Sequence, residues 1–346
     1  MTPPSPDHHP TPSLPRRIGS ALAAPGTLQL LATVLVCGLL YGYAAVAYRH
    51  FDDYQTFVNF LGGSGTAFLG VTAVGLTFVI LAGGIDLSVG AVIGCSTVLM
   101  AVAVQRFHLH PLLAIPLVLL IGTTFGAGQG CLIRFFDVPP FLATLAGLFL
   151  ARGAGLVISP EQVPIDHPFY ARLAEVAVTV GHDDRHLPVT LSLQGILFVA
   201  TLLVGIFVAR FTRFGRNCYA VGGSETSAVL MGLPVGSTKV AVYAVSGFCA
   251  ALAGVVATLD VQKGDATYAT GVELDAIAAV VVGGTALAGG SGSVVGTFLG
   301  VLTFAIVQAT IDFDGRLPAA WNRIVVGGLL LAFILLQKAI GRRGRG

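Results

Sequence analysis

The chain has 346 residues, of which 55% are hydrophobic and only 10% are Asp, Glu, Lys or Arg. Soluble domains carry about 25% charged residues, so this composition excludes a soluble or disordered protein and indicates a polytopic membrane protein. The net charge of +2 is too small to suggest an anionic partner, and nucleic-acid binding is excluded. The five cysteines include no C-x-x-C pair, so we predict buried apolar side chains rather than disulfides or a metal site.

Long apolar runs divide the chain into spans. The proline-rich residues 1–25 predict a disordered cytoplasmic tail, residues 26–340 a transmembrane domain, and residues 341–346 a basic cytoplasmic tail. Because a helix crosses the bilayer core with about 20 apolar residues, the sequence predicts an all-α fold with about ten transmembrane helices, including short or broken ones. Their expected bounds are roughly 27–48, 61–82, 88–105, 111–133, 139–158, 192–211, 239–260, 273–287, 293–311 and 319–339.

The placement of Lys and Arg orients these spans. Basic clusters at both termini and after the sixth span fall on the same side of the predicted layout. The positive-inside rule therefore predicts that both termini are cytoplasmic. The same layout predicts an outer loop at residues 159–191 and a cytoplasmic loop at residues 212–238. His182 and His186 lie in the outer loop, and we interpret them as part of a solvated loop tip rather than as metal ligands.

Sequence motifs of enzymes are missing from the chain. There is no G-x-x-x-x-G-K-[ST] P-loop, no H-E-x-x-H zinc motif and no G-x-S-x-G nucleophile motif. We therefore predict that the chain is not an enzyme and that it holds no cofactor or metal. No span is Arg-rich like a voltage sensor and no pore-filter motif occurs, which leaves a transporter or a subunit of one.

The segment GGIDLSVG at residues 83–90 interrupts two apolar runs and places a carboxylate at the break. An ionisable residue at membrane depth is costly and indicates function, so Asp86 and Ser88 are candidate residues of a substrate pathway. The alternative is that Asp86 or Ser88 caps the next helix at the cytoplasmic interface, without contact to a substrate. Capping alone explains a Gly-Gly-x-Asp sequence at a helix start.

A short span with acidic residues at its outer end begins with GVELDAI, residues 271–277, and ends in a glycine-rich stretch at residues 283–292. Short, glycine-interrupted helices lie beside the pathways of transporters. Glu273 and Asp275 could accept hydrogen bonds from a hydroxylated ligand. They could also serve only to complement the dipole at the helix N-terminus. The sequence supports both interpretations.

The cytoplasmic loop predicts a short helix with an apolar surface. Ser224 is a plausible N-cap, Gly232 a plausible C-terminal residue, and Pro234 a stop signal. The side chains between Ala228 and Met231 would expose apolar groups, which indicates a protein partner. The alternative is a helix that lies on the lipid surface, but the segment lacks the basic amphipathic pattern that anionic lipids select.

Four segments together resemble one family. Residues 83–90, 139–153, 215–233 and 271–292 are similar to the membrane subunit of sugar importers of the ATP-binding-cassette type, the ribose/xylose/arabinose permease family. The resemblance implies a location in the bacterial inner membrane. In this family the cytoplasmic loop holds a coupling helix that docks on an ATPase subunit. The implied contact residues are Ser224, Glu225, Thr226, Ser227, Ala228, Met231 and Gly232.

The family resemblance also implies a transport cycle. A soluble extracytoplasmic binding protein delivers a sugar, two homologous permeases form the pathway within the membrane lipid, and two ATP-binding subunits drive it. ATP hydrolysis then belongs to a partner subunit. The alternative is a self-sufficient secondary transporter that couples sugar to protons through Asp86 or Asp275. Such a transporter would need no ATPase partner.

A finer resemblance points to the galactofuranose importer, in which two different permeases pair. The segments VPIDHPFY at residues 163–170 and IDFDG at residues 311–315 are similar to its smaller permease, as is TSAVLMG at residues 226–232. This resemblance implies galactofuranose as the substrate and a permease heterodimer. The proline-rich tail and the segment HDDRH at residues 182–186 depart from the family pattern, which leaves the identity of the sugar open.

Overall fold

The computed structural model describes residues 25–49, 51–63, 65–182, 187–315 and 320–343. Helices make up most of this part of the chain. They are α1 (Pro25–Ala47), α2 (Tyr54–Gly62), α3 (Thr66–Leu81), α4 (Val89–Gln105), α5 (Pro111–Phe135), α6 (Pro140–Ile158), α7 (Pro168–Ala174), α8 (Leu193–Phe211), α9 (Arg213–Gly223), α10 (Glu225–Leu230), α11 (Val235–Val261), α12 (Val272–Val282), α13 (Val294–Asp314) and α14 (Ala320–Arg343). The strands are β1 (Val163–Pro164), β2 (Ala177–His182), β3 (Pro188–Ser192) and β4 (Lys263–Gly264).

Fewer helices than predicted are long enough to cross a membrane. Within the described residues, six helices pass by length and composition, namely α1, α5, α6, α8, α11 and α13. The helices α2 and α3, bent by 49° relative to each other, would together form a seventh. The helix α4 and the apolar part of α14 are shorter, and α12 has only 11 residues. The helical membrane fold is confirmed, whereas the count of about ten spans is not.

The loop predicted at residues 159–191 contains secondary structure of its own. The strands β2 and β3 form an antiparallel hairpin, and β1 pairs with β4 from beyond α11. The strands β1 and β4 have two residues each, too few to show the alternation that reveals a strand in a sequence. Almost every residue of β2 is exposed, so that strand has no buried face that would require alternation. His182 ends β2, whereas His186 lies outside the described residues. We call the end of the helical bundle that bears this hairpin the hairpin end, and the opposite end the α10 end.

The long helix α11 forms the centre of the bundle. It has 27 residues and is therefore about 40 Å long. It packs antiparallel against α5 through small residues, because a Cβ on Gly122 or Gly126 of α5 would collide with atoms of α11. These glycines let the two helices approach closely, as is typical of membrane helix pairs. The same helix also packs against α3 and α4, so it contacts most of the elements that carry the candidate residues.

Two interruptions of the helical structure shape the interior. Residues 82–88, the first break, separate α3 from α4, and residues 283–293, the second break, separate α12 from α13. Both begin with a turn in which a glycine adopts positive φ, Gly83 at +79° and Gly284 at +91°. Such turns end helices, and a side chain at these positions is disfavoured. The glycine pairs that predicted the breaks therefore mark real helix ends.

Candidate functional site

Asp86 lies in the first break and is almost completely buried, with 1% of its surface exposed. Its Oδ1 accepts hydrogen bonds from the main-chain N–H of Ser88 at 2.9 Å and from Ser88 Oγ at 2.7 Å. Its Oδ2 accepts a hydrogen bond from Ser246 Oγ of α11, also at 2.7 Å. Because burying a polar group without hydrogen bonds is costly, these three donors stabilise the Asp86 side chain in this position.

Asp86 lies well inside the helical bundle, measured along α11. Ser246 lies 11 residues beyond Val235, the first residue of α11, so the contact is about 16 Å from that helix end. The bond from the Ser88 N–H to Asp86 lies just before α4, and Ser88, the N-cap residue of that helix, makes no capping hydrogen bond with its own side chain.

Gln129 of α5 extends this polar group. Its Oε1 lies 3.2 Å from Ser88 Oγ, and its Nε2 is buried with no hydrogen-bond partner among the described residues. Sequence reasoning missed both Gln129 and Ser246, since each is a single polar residue within an apolar helix. A polar side chain at membrane depth was the one available signal.

Glu273 reaches the same part of the interior from the hairpin end. It lies in the first turn of α12, and a Cβ on Gly90 of α4 would collide with its Oε2. That oxygen is buried and has no hydrogen-bond partner in the described part of the chain. The carboxylate therefore lies beside the N-termini of both α4 and α12, where the positive ends of the two helix dipoles favour a negative charge.

Arg152 of α6 supplies positive charge to this region. Its Nη1 donates hydrogen bonds to the carbonyls of Ala266 at 2.5 Å and Tyr268 at 3.0 Å, which holds the segment before α12 against α6. The guanidinium also attracts Glu273 electrostatically. The motif at residues 139–153 contains Arg152, but nothing in the motif connected it with Glu273.

Asp275 lies on another face of α12 than its acidic neighbour two residues earlier, because two residues turn a helix by about 200°. It lines a cavity of about 260 Å³ towards the hairpin end, together with Gln308 and Asp312 of α13. The aromatic rings of Phe68 and Phe304 also line this space, which we call the outer cavity. The structure therefore separates the two carboxylates that the sequence grouped at one mouth.

A further carboxylate, Asp265, lies between β4 and α12. Partial burial acts to raise its pKa, but hydrogen bonds from Thr267 and Gln162, together with the charge of Lys263, outweigh burial and lower the pKa below its usual value. The distances from its oxygens to the Thr267 N–H and the Gln162 Nε2 are 2.8 and 2.9 Å. This part of the hairpin end therefore keeps a negative charge at neutral pH.

The short helix α10 has the capping residues that the sequence predicted. Ser224 Oγ accepts a hydrogen bond from the main-chain N–H of Ser227 at 3.2 Å. At the other end, Gly232 has φ of +72° and its N–H donates to the carbonyl of Val229 at 2.9 Å. The N-cap and the C-terminal glycine expected for this helix are therefore both confirmed by the geometry.

The exposed surface of α10 and its C-terminal turn is apolar. The exposed fractions are 58% for Val229, 83% for Leu230 and 65% for Met231. Thr226 beside them is also exposed. Ala228, by contrast, is fully buried beneath the helix, so the prediction that it exposes an apolar group was wrong. An alanine facing inward and one facing outward look the same in a helix of about two turns.

An ion pair joins α10 to α11. Lys239 Nζ donates to Glu225 Oε1 at 2.6 Å. Both residues line a cavity of about 290 Å³ at the α10 end. The same cavity, which we call the inner cavity, borders the first break at Gly83 and Gly84 and borders Tyr243 of α11. The ion pair and the first break therefore face each other across open space.

The end of α9 contacts both breaks. The N–H of Gly290 in the second break donates to the carbonyl of Leu81, the last residue of α3, at 2.9 Å. A Cβ on Gly222 of α9 would collide with that carbonyl and would lie 2.6 Å from the Gly290 nitrogen. A Cβ on the adjacent Gly223 would meet nothing within 4 Å. Three backbone segments therefore meet at a point that leaves no room for a side chain at position 222.

These residues supply groups that can bind a ligand. In the part of the chain that the structure describes, no three His, Cys, Asp or Glu residues are grouped so that they could hold a metal ion. The groups at the outer cavity are carboxylate and amide side chains, which suit the hydroxyl donors of an uncharged polar ligand. Helices that start inside the bundle beside a broken span are typical of membrane transporters.

The fold and the site thus define a multi-pass membrane transport protein. The chain belongs to the family described as branched-chain amino acid transport system / permease component, which matches residues 61–334. The resemblance to permeases that the sequence motifs indicated is confirmed.

Relatives of the chain are bacterial permease proteins. It is 45% identical to the inner membrane ABC transporter permease protein YjfF of Escherichia coli over 90% of this chain and 92% of that protein. It is 39% identical to the fructose import permease protein FruG of Bifidobacterium longum over 79% and 80% of the two chains. It is 32% identical to the xylose transport system permease protein XylH of Escherichia coli over 80% and 84%. No solved structure matches the chain.

Proposed function

We propose that this chain is the membrane-spanning permease subunit of an ATP-driven sugar importer, and that an ATP-binding subunit docks on α10. The observation that carries the proposal is the exposed apolar turn of this capped helix, since such a surface on a bundle end calls for a protein partner. The proposed docking surface consists of Ser224, Glu225, Thr226, Ser227, Val229, Leu230, Met231 and Gly232.

The α10 end then faces the cytoplasm, as do both termini, and the hairpin end faces outward. The distribution of Lys and Arg along the sequence supports this orientation. An extracytoplasmic sugar-binding protein docks at the hairpin end, and a second, homologous permease completes the pathway. The protein lies in a bacterial inner membrane.

Within this subunit, we assign the outer cavity to the substrate pathway. Asp275, Gln308 and Asp312 are the polar side chains that would contact a sugar there. Ser88 donates a hydrogen bond to Asp86 inside the bundle, and Glu273 packs against Gly90. We assign these three residues to the inner wall that must move during transport, rather than to the first contact with the sugar.

The polar groups of the outer cavity suit a sugar. Two carboxylates line it, and Arg323 of α14 attracts one of them, Asp275, electrostatically. Sugar hydroxyls donate to carboxylates, so we expect these oxygens to bind an uncharged, hydroxylated ligand. The names of the relatives, which include fructose and xylose permeases, support the same class. Galactofuranose is the sugar we propose, on the resemblance of residues 163–170 and 311–315, together with a heterodimer of permeases.

The decisive experiment is uptake by the reconstituted complex of this chain with a second permease, an ATPase and a binding protein. We expect ATP-dependent uptake of galactofuranose in preference to ribose, xylose, fructose and leucine. Uptake of leucine but not of sugars would contradict the substrate class. Sugar uptake by this chain alone, driven by a pH gradient, would instead support the proton-coupled secondary transporter.

The docking surface has its own test. Leu230→Asp places a charge at the most exposed position of the apolar turn, so the ATPase should no longer copurify with the permease. Val178→Asp is the matched control, because Val178 is a half-exposed apolar residue on β2 at the hairpin end. Equal ATPase binding by both variants would remove α10 as the docking helix.

A further inference from the structure

One face of α11 connects α10 with the first break. Lys239, Tyr243 and Ser246 are spaced by four and then three residues, which places them on the same side of a helix. Lys239 contacts α10 through its ion pair with Glu225 at 2.6 Å. This set of three side chains, the α11 face, therefore begins at the proposed docking helix.

The other two members of the α11 face hold the first break. Tyr243 Oη donates to the carbonyl of Ile85 at 3.4 Å, and Ser246 Oγ donates to Asp86 Oδ2 at 2.7 Å. Both side chains are almost completely buried. The two contacts are made to consecutive residues, Ile85 and Asp86. They therefore fix the backbone position of the break and the orientation of the Asp86 side chain.

We propose that the α11 face positions the first break relative to α10, so that displacement of α10 is transmitted to the Asp86 segment. The inference rests on the proposed function, in which an ATPase moves α10. The inner cavity lies between the Glu225–Lys239 pair and the glycines of the break, which leaves the break space to move. The glycine contacts between α5 and α11 hold α11 as a stiff element, because backbone touches backbone there. Tyr243 and Ser246 are positioning residues in this arrangement.

The ion pair is tested by charge reversal in the reconstituted complex, with sugar transported per ATP hydrolysed as the readout. Glu225→Lys and Lys239→Glu should each lower this ratio about two- to fivefold, the range expected for a partly exposed pair. The double variant restores the attraction and should return the ratio to the wild-type value. Failure of the double variant to recover, with the complex still assembled, would overturn the role of the pair.

The buried end of the α11 face is tested by Ser246→Ala. Loss of this buried hydrogen bond should lower sugar transport about tenfold, while Ser246→Thr, which keeps a hydroxyl, should recover most of the transport. Ser237→Ala is the matched control, because Ser237 is an exposed serine on the same helix whose hydroxyl donates to the carbonyl of Pro234 in the preceding turn. Equal transport by the Ser246→Ala and Ser237→Ala variants would contradict the proposal.

A measurement without the ATPase separates this inference from the proposed function. Ala82 lines the inner cavity and is half-buried, so Ala82→Cys reports the accessibility of the first break to a water-soluble maleimide. In membranes that hold this chain alone, Glu225→Gln should raise the labelling rate about two- to fivefold. An unchanged rate would overturn the positioning role. Absence of ATP-driven uptake by the wild-type complex, with the labelling change present, would count against the proposed function alone.

Discussion

The main-chain N–H of Gly290 donates a hydrogen bond to the carbonyl of Leu81 over 2.9 Å and thereby ties the second break to the end of α3. The two residues are 209 positions apart in the sequence. Helix ends carry carbonyl groups without partners, so the bond satisfies one such carbonyl inside a membrane protein. It also brings both breaks against α9, next to the proposed docking helix.

We expect that Gly222, where α9 meets the two breaks, tolerates no side chain. Gly222→Ala forces a methyl group onto the Leu81 carbonyl, and overpacking of this kind costs about 1–3 kcal/mol. We expect a lower melting temperature and a lower ratio of sugar transported to ATP hydrolysed. Gly223→Ala is the control, because its Cβ would enter open space. Equal melting temperatures and equal transport ratios of the two alanine variants would show that the contact of Gly222 with the breaks is not important.

The two acidic residues of α12 should respond differently to neutralisation. Asp275→Asn removes a carboxylate acceptor from the outer cavity, so we expect sugar uptake to fall about tenfold at an unchanged melting temperature. Glu273→Gln removes a charge between two helix N-termini, which should cost about 0.3–1 kcal/mol of stability. Uptake and thermal unfolding are measured on the same preparations. A stability loss in Asp275→Asn without a loss of uptake would return that residue to a dipole-complement role.

The C-terminal turn of α10 should depend on backbone conformation alone. Gly232 has φ of +72°, and a Cβ there would meet no atom within 4 Å. Gly232→Val therefore imposes about 1–2 kcal/mol of left-handed strain, and ATP hydrolysis should lose its coupling to transport. Gly232→Asn should be milder, since Asn tolerates this conformation better than other side chains. Normal coupling in the Gly232→Val complex would contradict the role of the turn.

The proposed orientation is open to chemical labelling. Thr179→Cys on β2 should react with an impermeant maleimide added outside the cell, and Met231→Cys after α10 should react only once the membrane is opened. Both positions are exposed in the structure. Outside labelling of position 231 in intact cells would reverse the orientation argued from the placement of Lys and Arg.

Local features of this protein were readable from the sequence because their causes are local. The shortage of charge indicated a membrane protein, the apolar runs located the helices, and the glycine pairs at 83–84 and 283–284 marked their ends. Ser224 and Gly232 similarly identified both ends of α10. A cap bond or a left-handed turn involves residues only a few positions apart, so a short segment contains the whole reason for it.

The relationships between helices were decided only by the tertiary structure. Asp86 accepts a hydrogen bond from Ser246, 160 positions away, and no local pattern distinguishes that serine from others in the apolar spans. Helix geometry places Glu273 and Asp275 on different faces of α12, but packing decides that one face meets Gly90 of α4 and the other lines the outer cavity. The burial of Ala228 likewise depends on what lies beneath α10. Such choices follow from close packing of elements that are distant in the sequence, where a glycine or a methyl group decides which backbones can touch.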